Sequence, residues 1–251
     1  RYPVQQPWSS VNTATKVKLL TAMHDKVAKR DPRIKKVNIR YRDEQSDILI
    51  VDSLGRIVID HQPMTVCYVS CMAEDKGRRE SNYSARAGRA GLEFYDAATI
   101  EAMTLEAVER TVILFDAVEG PVGELPVVLA PGSSGILLHE AIGHGMEADF
   151  ARKNTTVYAN MVGKRIAPVN VTIVDDGTNP QLRGSINVDD EGNASQRTVL
   201  VDKGILRTFM HDHISAKHFG LEPTGNGRRE SFRHMPIPRM RNTYMMAGPH
   251  A

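Results

Sequence analysis

Residues 135–150 read GILLHEAIGHGMEADF and contain His139, Glu140 and His144. A hydrolytic metal site needs neutral imidazoles as ligands and a carboxylate that takes a proton from water. Those residue types are here, but not at the usual spacing. The zinc-protease helix His-Glu-x-x-His sets its histidines four apart. Side chains four apart lie about 40° from one another around a helix, and those five apart about 140°. A straight α-helix therefore cannot turn His139 and His144 to one ion. Either the helix is distorted between them, by a π-bulge or a break, or the pattern is a coincidence in an Ala/Gly-rich helix. Gly143 and Gly145 flank His144. No packing reason for them is evident in the sequence, so they mark where the backbone could deform, at roughly 1 kcal/mol of helix propensity each. The apolar GILL suits a helix buried on one side, and Glu147 and Asp149 are available as partners for the imidazole N–H groups.

Other residues invite weaker readings. His211 and His213, in HDH, would share one face of a strand and so form a conceivable metal pair. They read better as polar residues at a hairpin end, and His218 and His234 are lone histidines with the same bland reading. DDG at 175–177 and DDEG at 189–192 read as acidic turns, because a calcium loop needs more ligands in fixed register. Arg228, Arg229, Arg233, Arg239 and Arg241 cluster around Phe232 in the tail. Nucleic-acid binding is one reading of that cluster. A loop whose arginines, Arg228 and Arg229 foremost, pair with peptide carboxylates is the better one, since Glu230 dilutes the patch. Tyr244 has the chemistry to polarise a substrate carbonyl, or else packs in the loop.

These side chains need elements to hold them. The chain of 251 residues is long enough for one large or two ordinary domains. With 32 basic and 30 acidic residues its net charge is +2, which makes no electrostatic case for a dedicated nucleic-acid or membrane binder. No apolar run nears the roughly 18 residues of a membrane span. The opening RYPVQQPWSS lacks a signal-peptide core. The first residue is Arg, so the chain is expected to be a fragment. Cys67 and Cys71 are its two cysteines, too few for a disulfide framework and in keeping with a reduced, cytoplasmic protein.

Spacing predicts an amphipathic helix over 9–30, ended by DPR, and a second helix over 98–115. Between them KKVNIRYRD, SDILIVDSLG, RIVIDHQ and MTVCYVSCMAED read as four short strands, with DSLGR a hairpin turn and 77–91 an edge strand or loop. After a linker at 117–126, VVLAP reads as a short buried strand, followed by the motif helix. VTIVDDG, RTVLVDKG and ILRTFMHD read as strands, the last two joined at Lys203-Gly204, and HISAKHFG as a short helix ended by Gly220. The tail from Pro223 reads as an ordered loop lining something. The fold class is α+β: an N-terminal helix and antiparallel-sheet layer over residues 1–120, then a mixed, largely antiparallel, β-rich domain over 121–251 carrying the motif helix.

LLHEAIGHGMEADF, with VTIVDDGTNPQLRGSINVDDEGNASQRTVLVDKGILRTFMHD and PTGNGRRESFRHMPIPRMRNTYMMAG, resembles the TldD/PmbA family of metallopeptidases, in its motif-bearing TldD-type subunit. The likeness covers most of residues 123–248. It implies a zinc ion on His139 and His144, with Glu140 as general base. It also implies a cysteine as third ligand, downstream of the NTYM segment and thus beyond Ala251. Cys67 or Cys71 could in principle substitute, but in a strand-like run a buried apolar role is their default. Further implied are peptide or unfolded-protein substrates, a cytoplasmic location, and a hetero-oligomer with a motif-lacking homologous subunit or a homodimer. No nucleic-acid or membrane partner is implied, and the family's label as modulator of DNA gyrase reads as indirect. The alternative is a non-catalytic binding or assembly protein with an incomplete metal site.

Overall fold

The structure, a computed structural model, describes residues 2–249. It divides into two compact units. One contains Tyr2–Ser46 and His61–Leu125, and the other contains Asp47–Asp60 and the chain from Pro126 onward.

The first unit is an α+β layer. Helix α1 (Thr13–Arg30) starts where the Asn12 side chain accepts from Thr15 N at 2.8 Å. Helix α2 (Ala97–Val112) starts in the same way at Asp96, which accepts from Thr99 N at 2.7 Å. Each cap satisfies an N–H that the first turn leaves without a partner. Three strands, β1 (Ile34–Val51), β2 (Ile57–Asp75) and β3 (Arg78–Gly88), form a sheet in that order, with β3 on an edge. The four short runs expected here are two long strands. Glu44–Ser46 and Gln62-Pro63 stay extended within unbroken strands and do not turn the chain. Asp52 builds the turn that does occur, within the Asp47–Asp60 stretch that belongs to the second unit, accepting from Leu54 N at 2.9 Å and Arg56 N at 3.0 Å.

Alternate residues of β2 (Thr65, Cys67, Val69, Cys71 and Ala73) are buried. That period of two gives the sheet one apolar face, and Met23, Val27, Met103, Ala107 and Val108 of the two helices pack with it. Each of the Met and Val side chains contributes about 1.5–3 kcal/mol by leaving water. The cysteines belong to this core. Burial pushes the Cys67 thiol up to about 12, and Cys71 Sγ lies 3.2 Å from Thr111 Oγ1. The default role expected of both cysteines is thus the one the structure shows: a buried thiol so hard to ionise is a core hydrophobe, not a ready thiolate.

The second unit is built on a four-stranded antiparallel sheet with the order β6 (Ile205–Leu206), β5 (Arg197–Asp202), β4 (Ile173–Asp176) and β9 (Thr243–Met245). Lys203 and Gly204 join β5 to β6 with φ of 48° and 79°, the left-handed pair of a tight hairpin. Two sequence expectations fail here. Val127, Val128 and Leu129 are 74%, 98% and 56% exposed and irregular, not a buried strand. A strand needs a hydrogen-bonding neighbour, and none of the described residues pairs with this run. Likewise only Ile205 and Leu206 of ILRTFMHD pair as a strand, because residues 207–212 leave the sheet to enter helix α5 (His213–Phe219). The Asp212 side chain caps α5 by accepting from Ser215 N at 2.7 Å, and Gly220 ends it at φ 66°. A two-stranded hairpin of β7 (Gly227–Arg228) and β8 (Ile237–Pro238) carries the Arg-rich tail. None of the described helices is long and apolar enough to cross a membrane.

Candidate metal centre

The helix bearing the motif is short and changes pitch. Gly135–Leu138 forms one α-turn (α3), His139–Gly143 is wound as a π-helix, and His144–Met146 tightens to a 3-10 turn. His144 N–H donates to the His139 carbonyl, the i to i+5 bond of a π-turn. That wider turn removes the geometric objection to the spacing. It carries both imidazoles to one side, with ring centroids 4.7 Å apart and planes 86° to each other. One ligand atom from each of His139, Glu140 and His144 lies within 4.8 Å of the others, on a solvent-facing surface.

The glycines serve a different purpose from the one their position suggested. Gly143 has ordinary helical angles, φ −57° and ψ −53°, so its backbone needs no glycine. A Cβ there would run into Met240 Sδ. A Cβ at Gly145 would stand 2.7 Å from the Tyr158 ring. Both glycines are therefore close-packing positions, invisible in a sequence that does not show Met240 or Tyr158 nearby. GILL also differs from expectation. Ile136 and Leu137 are 66% and 57% exposed, and Leu138 alone of the three large residues packs against the unit's core.

Glu147 orients His144. Its side chain is fully buried, and both carboxylate oxygens stand 3.3 Å from His144 Nδ1. On its other side Arg239 Nη1 donates to Oε2 at 3.0 Å. Burial pushes the Glu147 carboxyl above the usual range, while Arg239 and His144 pull it down. With Nδ1 engaged, His144 Nε2 is left free as the ligand nitrogen. Asp149 does not share this role, contrary to the sequence reading. It lies 3.4 Å from Lys153 Nζ and 4.0 Å from Arg239 Nη1, and no hydrogen bond joins it to either imidazole. Only Ala148 separates Glu147 from Asp149, but the start of helix α4 (Ala148–Arg152) rotates the second acid away.

Arg239 is the residue the sequence reading did not single out for a role. It lies 92 residues from Glu147 in the chain, and no spacing rule connects them. The loop that delivers it is clamped by Asp175 at the centre of the sheet. Asp175 accepts from Arg241 N, Arg241 Nε and Thr243 Oγ1, each at 2.8 Å, and from Asn226 Nδ2 at 2.7 Å. Both side chains of the Asp175–Arg241 pair are wholly buried. Four hydrogen bonds on one carboxylate compensate for its burial.

Arg228 and Arg229 line a cavity of about 540 Å3 together with His139, His144, Glu147 and Arg239. Tyr244, on β9, lies elsewhere, in a second cavity shared with His139 and Glu140. The candidate site residues thus collect around the imidazole pair from two sides. His211 and His213 do not. His211 is 1% exposed and burial drives its pKa down to about 4, while His213 opens α5 with Nε2 2.9 Å from Asn193 Oδ1. Asp189 is the centre of its own turn, accepting from the backbone N–H groups of Glu191, Asn193 and Gly227.

Two imidazoles and a carboxylate gathered on a deformed helix, beside an antiparallel sheet, form a candidate metal centre. Comparison with known proteins narrows this. Residues 6–115 match the PmbA/TldA metallopeptidase central domain, and residues 122–251 the C-terminal domain. The chain is similar to a metalloprotease TldD homologue of Buchnera aphidicola (subsp. Schizaphis graminum), at 39% identity over 98% of this chain and 53% of that protein. It is also similar to a zinc metalloprotease TldD homologue of Saccharolobus solfataricus, at 41% identity over 50% of this chain and 28% of that protein. In fold it is similar to a proposed modulator of a DNA gyrase from Thermotoga maritima, with a TM-score of 0.83 at 23% identity, covering 96% of this chain and 54% of that one. The chain belongs to the PmbA/TldD metallopeptidase family. It spans about half the length of the curated relatives it matches.

Proposed function

We propose that this chain carries the zinc-dependent peptide-hydrolysing centre of a TldD-type metallopeptidase, with His139 and His144 as metal ligands and Glu140 as general base. The observation that carries this reading is the π-turn that gathers the donor atoms of all three residues within 4.8 Å. Their chemistry fits zinc, which favours imidazole nitrogen with few ligands and an open position. The relatives named metalloproteases support the class, and one named a zinc metalloprotease supports the ion. When bound, zinc supplies Lewis acidity, polarising a carbonyl and acidifying water.

The chain's own residues supply the rest. Glu140 is exposed and adjacent to the imidazoles, so its carboxylate accepts a proton from the attacking water and hands it to the leaving amine. Glu147 and Arg239 hold the His144 ring. The outer edge of β9 has no neighbouring strand among the described residues, and an extended peptide adding there would be bound through its backbone with little regard to sequence. Tyr244 on that strand lines the cavity that also holds His139 and Glu140, which supports a role in meeting a substrate carbonyl. The substrates are peptides or unfolded small proteins. The working assembly is a hetero-oligomer with a motif-lacking homologous subunit or a homodimer, in the cytoplasm.

The test is metal analysis of the intact gene product, which would include the third ligand expected beyond Ala251, with turnover of an unfolded peptide by parent and Glu140→Gln. Zinc should bind stoichiometrically, and the variant should retain the metal while losing at least about a hundredfold in rate. Absence of zinc, or cleavage by the variant at the parent rate, would favour the non-catalytic binding role instead.

A further inference from the structure

The cavity on the Arg side of the imidazole pair is more than an entrance. Its wall includes a guanidinium that the fold has desolvated without giving it an acid partner. Arg228 is half-buried on β7, and among the described residues its one hydrogen bond runs from Nη1 to Met240 O at 3.0 Å. A guanidinium has five N–H donors in a planar fork. Burial lowers the pKa of Arg228, against the fields of Asp190 and Asp175, which are near but not ion-paired with it. The clustered arginines differ sharply in this. Arg241 is saturated by Asp175, and Arg239 is engaged by Glu147. Arg229 is held at Asp190 through its backbone N and through Nη2 to the Asp190 carbonyl.

Removing a cation from water without a counter-charge is unfavourable, and folds that do so keep the donors for a ligand. The acids at this cavity do not neutralise it. Glu147 is committed to Arg239 and His144, and the Glu230 side chain is 84% exposed, 3.8 Å from His234. The cavity therefore has positive charge in excess, a half-buried guanidinium in its wall and His139 and His144 at its margin. On the other side of His139 the second cavity holds Glu140 and Tyr244. A peptide crossing the imidazole pair would enter this Arg-lined cavity with one end.

We propose that Arg228, seconded by Arg229, is a carboxylate-binding subsite that holds an acidic group of the peptide substrate immediately beside the metal centre. It rests on the peptidase reading for the identity of the ligand as a peptide, and it names the class: peptides presenting a carboxylate a short reach from the scissile bond. The C-terminal carboxylate and an acidic side chain share that chemistry, and the test separates them.

Equilibrium binding is measured in the Glu140→Gln full chain, so that no turnover is needed. The probes are N-acetyl-Ala-Ala with a free carboxylate, the same peptide amidated, and N-acetyl-Ala-Glu amide. At least one acid should bind about tenfold or more tightly than the neutral amide, the ratio expected of a charge-assisted bond. Arg228→Gln should abolish that preference without weakening the neutral peptide, and Arg228→Lys should restore it only in part. Whichever acid binds tighter identifies the source. Equal binding of acids and amide by the parent, failure of all three to bind, or an undiminished preference in folded Arg228→Gln would each overturn the subsite. The parent's discrimination between acid and amide decides the matter even if the variants do not fold. Turnover by the Glu140 parent is scored separately, so loss of the peptidase reading and loss of the subsite are distinct results.

Discussion

Removing the Glu147 carboxylate should loosen both the fold and the metal site, by amounts the structure sets. The side chain is fully buried between His144 and Arg239. Its bond to Arg239, at 3.0 Å, is charge-assisted, and such bonds contribute about 1.5–3 kcal/mol. The longer contact to His144, 3.3 Å to each oxygen, adds about 0.5–1.5 kcal/mol at most. Against these stands the desolvation of the carboxylate, visible as its raised pKa. Arg239 is 36% exposed, so water takes over part of what it loses. The net expectation for Glu147→Ala is about 2 kcal/mol of lost stability, below the 3–5 kcal/mol of a pair broken in a sealed core. Glu147→Gln, which keeps the volume and one acceptor, should fall between. Because His144 loses the group that fixes its ring, zinc affinity should drop about 10–100-fold in both variants. Urea denaturation gives the first quantity and competition with a chromophoric chelator the second. A folded Glu147→Ala chain that binds zinc within about twofold of the parent would refute the orienting role. A double-mutant cycle with Arg239→Met that shows no coupling would refute the pairing.

Three further outcomes follow from buried groups. His211 is neutral in the fold, with its pKa near 4 against 6.5 for the free side chain. Its folded-state pKa is depressed, so its contribution is complete above pH 6.5 and is lost on acidification toward pH 4, by about 3 kcal/mol. The difference in unfolding free energy between pH 7 and pH 4.5 should shrink by up to that amount in His211→Gln, and an unchanged difference would count against a buried neutral imidazole. Cys67 and Cys71 should resist a thiol reagent at pH 8 and react fully in denaturant, because both are within the core and the Cys67 thiol titrates near 12. Rapid labelling of the native chain would contradict that packing. Asp175→Ala leaves the buried Arg241 without its partner and should cost about 3–5 kcal/mol by denaturation. A loss under 1 kcal/mol would show that the clamp on the Arg loop is not what the buried pair provides.

Patterning accounts for the regular parts of the fold. Helices α1 and α2 were legible because apolar spacing and capping side chains agree. The Lys203-Gly204 hairpin was legible because a dipeptide with two positive φ angles needs no distant partner. The long strands were not, since polar residues inside an extended run look like breaks until strand pairing holds them. VVLAP failed in the opposite sense: its pattern is that of a strand, but a strand exists only where another backbone lies beside it. ILRTFMHD was cut short for the same reason, after Leu206.

At the candidate centre the division is finer. His139, Glu140 and His144 are adjacent enough in the chain that residue type and a five-residue step were sufficient to require a distorted helix, since helical angles are local. A π-turn was one of the two distortions the spacing allowed, but the actual reason for Gly143 and Gly145 depends on Met240 and Tyr158, which approach from elsewhere. So do the choice of Glu147 over Asp149 and the arrival of Arg239. Local sequence determines which side chains are present and how the backbone between them must bend. Which carboxylate orients an imidazole, and which arginine remains desolvated and unpaired, is decided by burial and charge pairing between residues far apart in the chain, and those exist only once the loop is clamped onto the sheet.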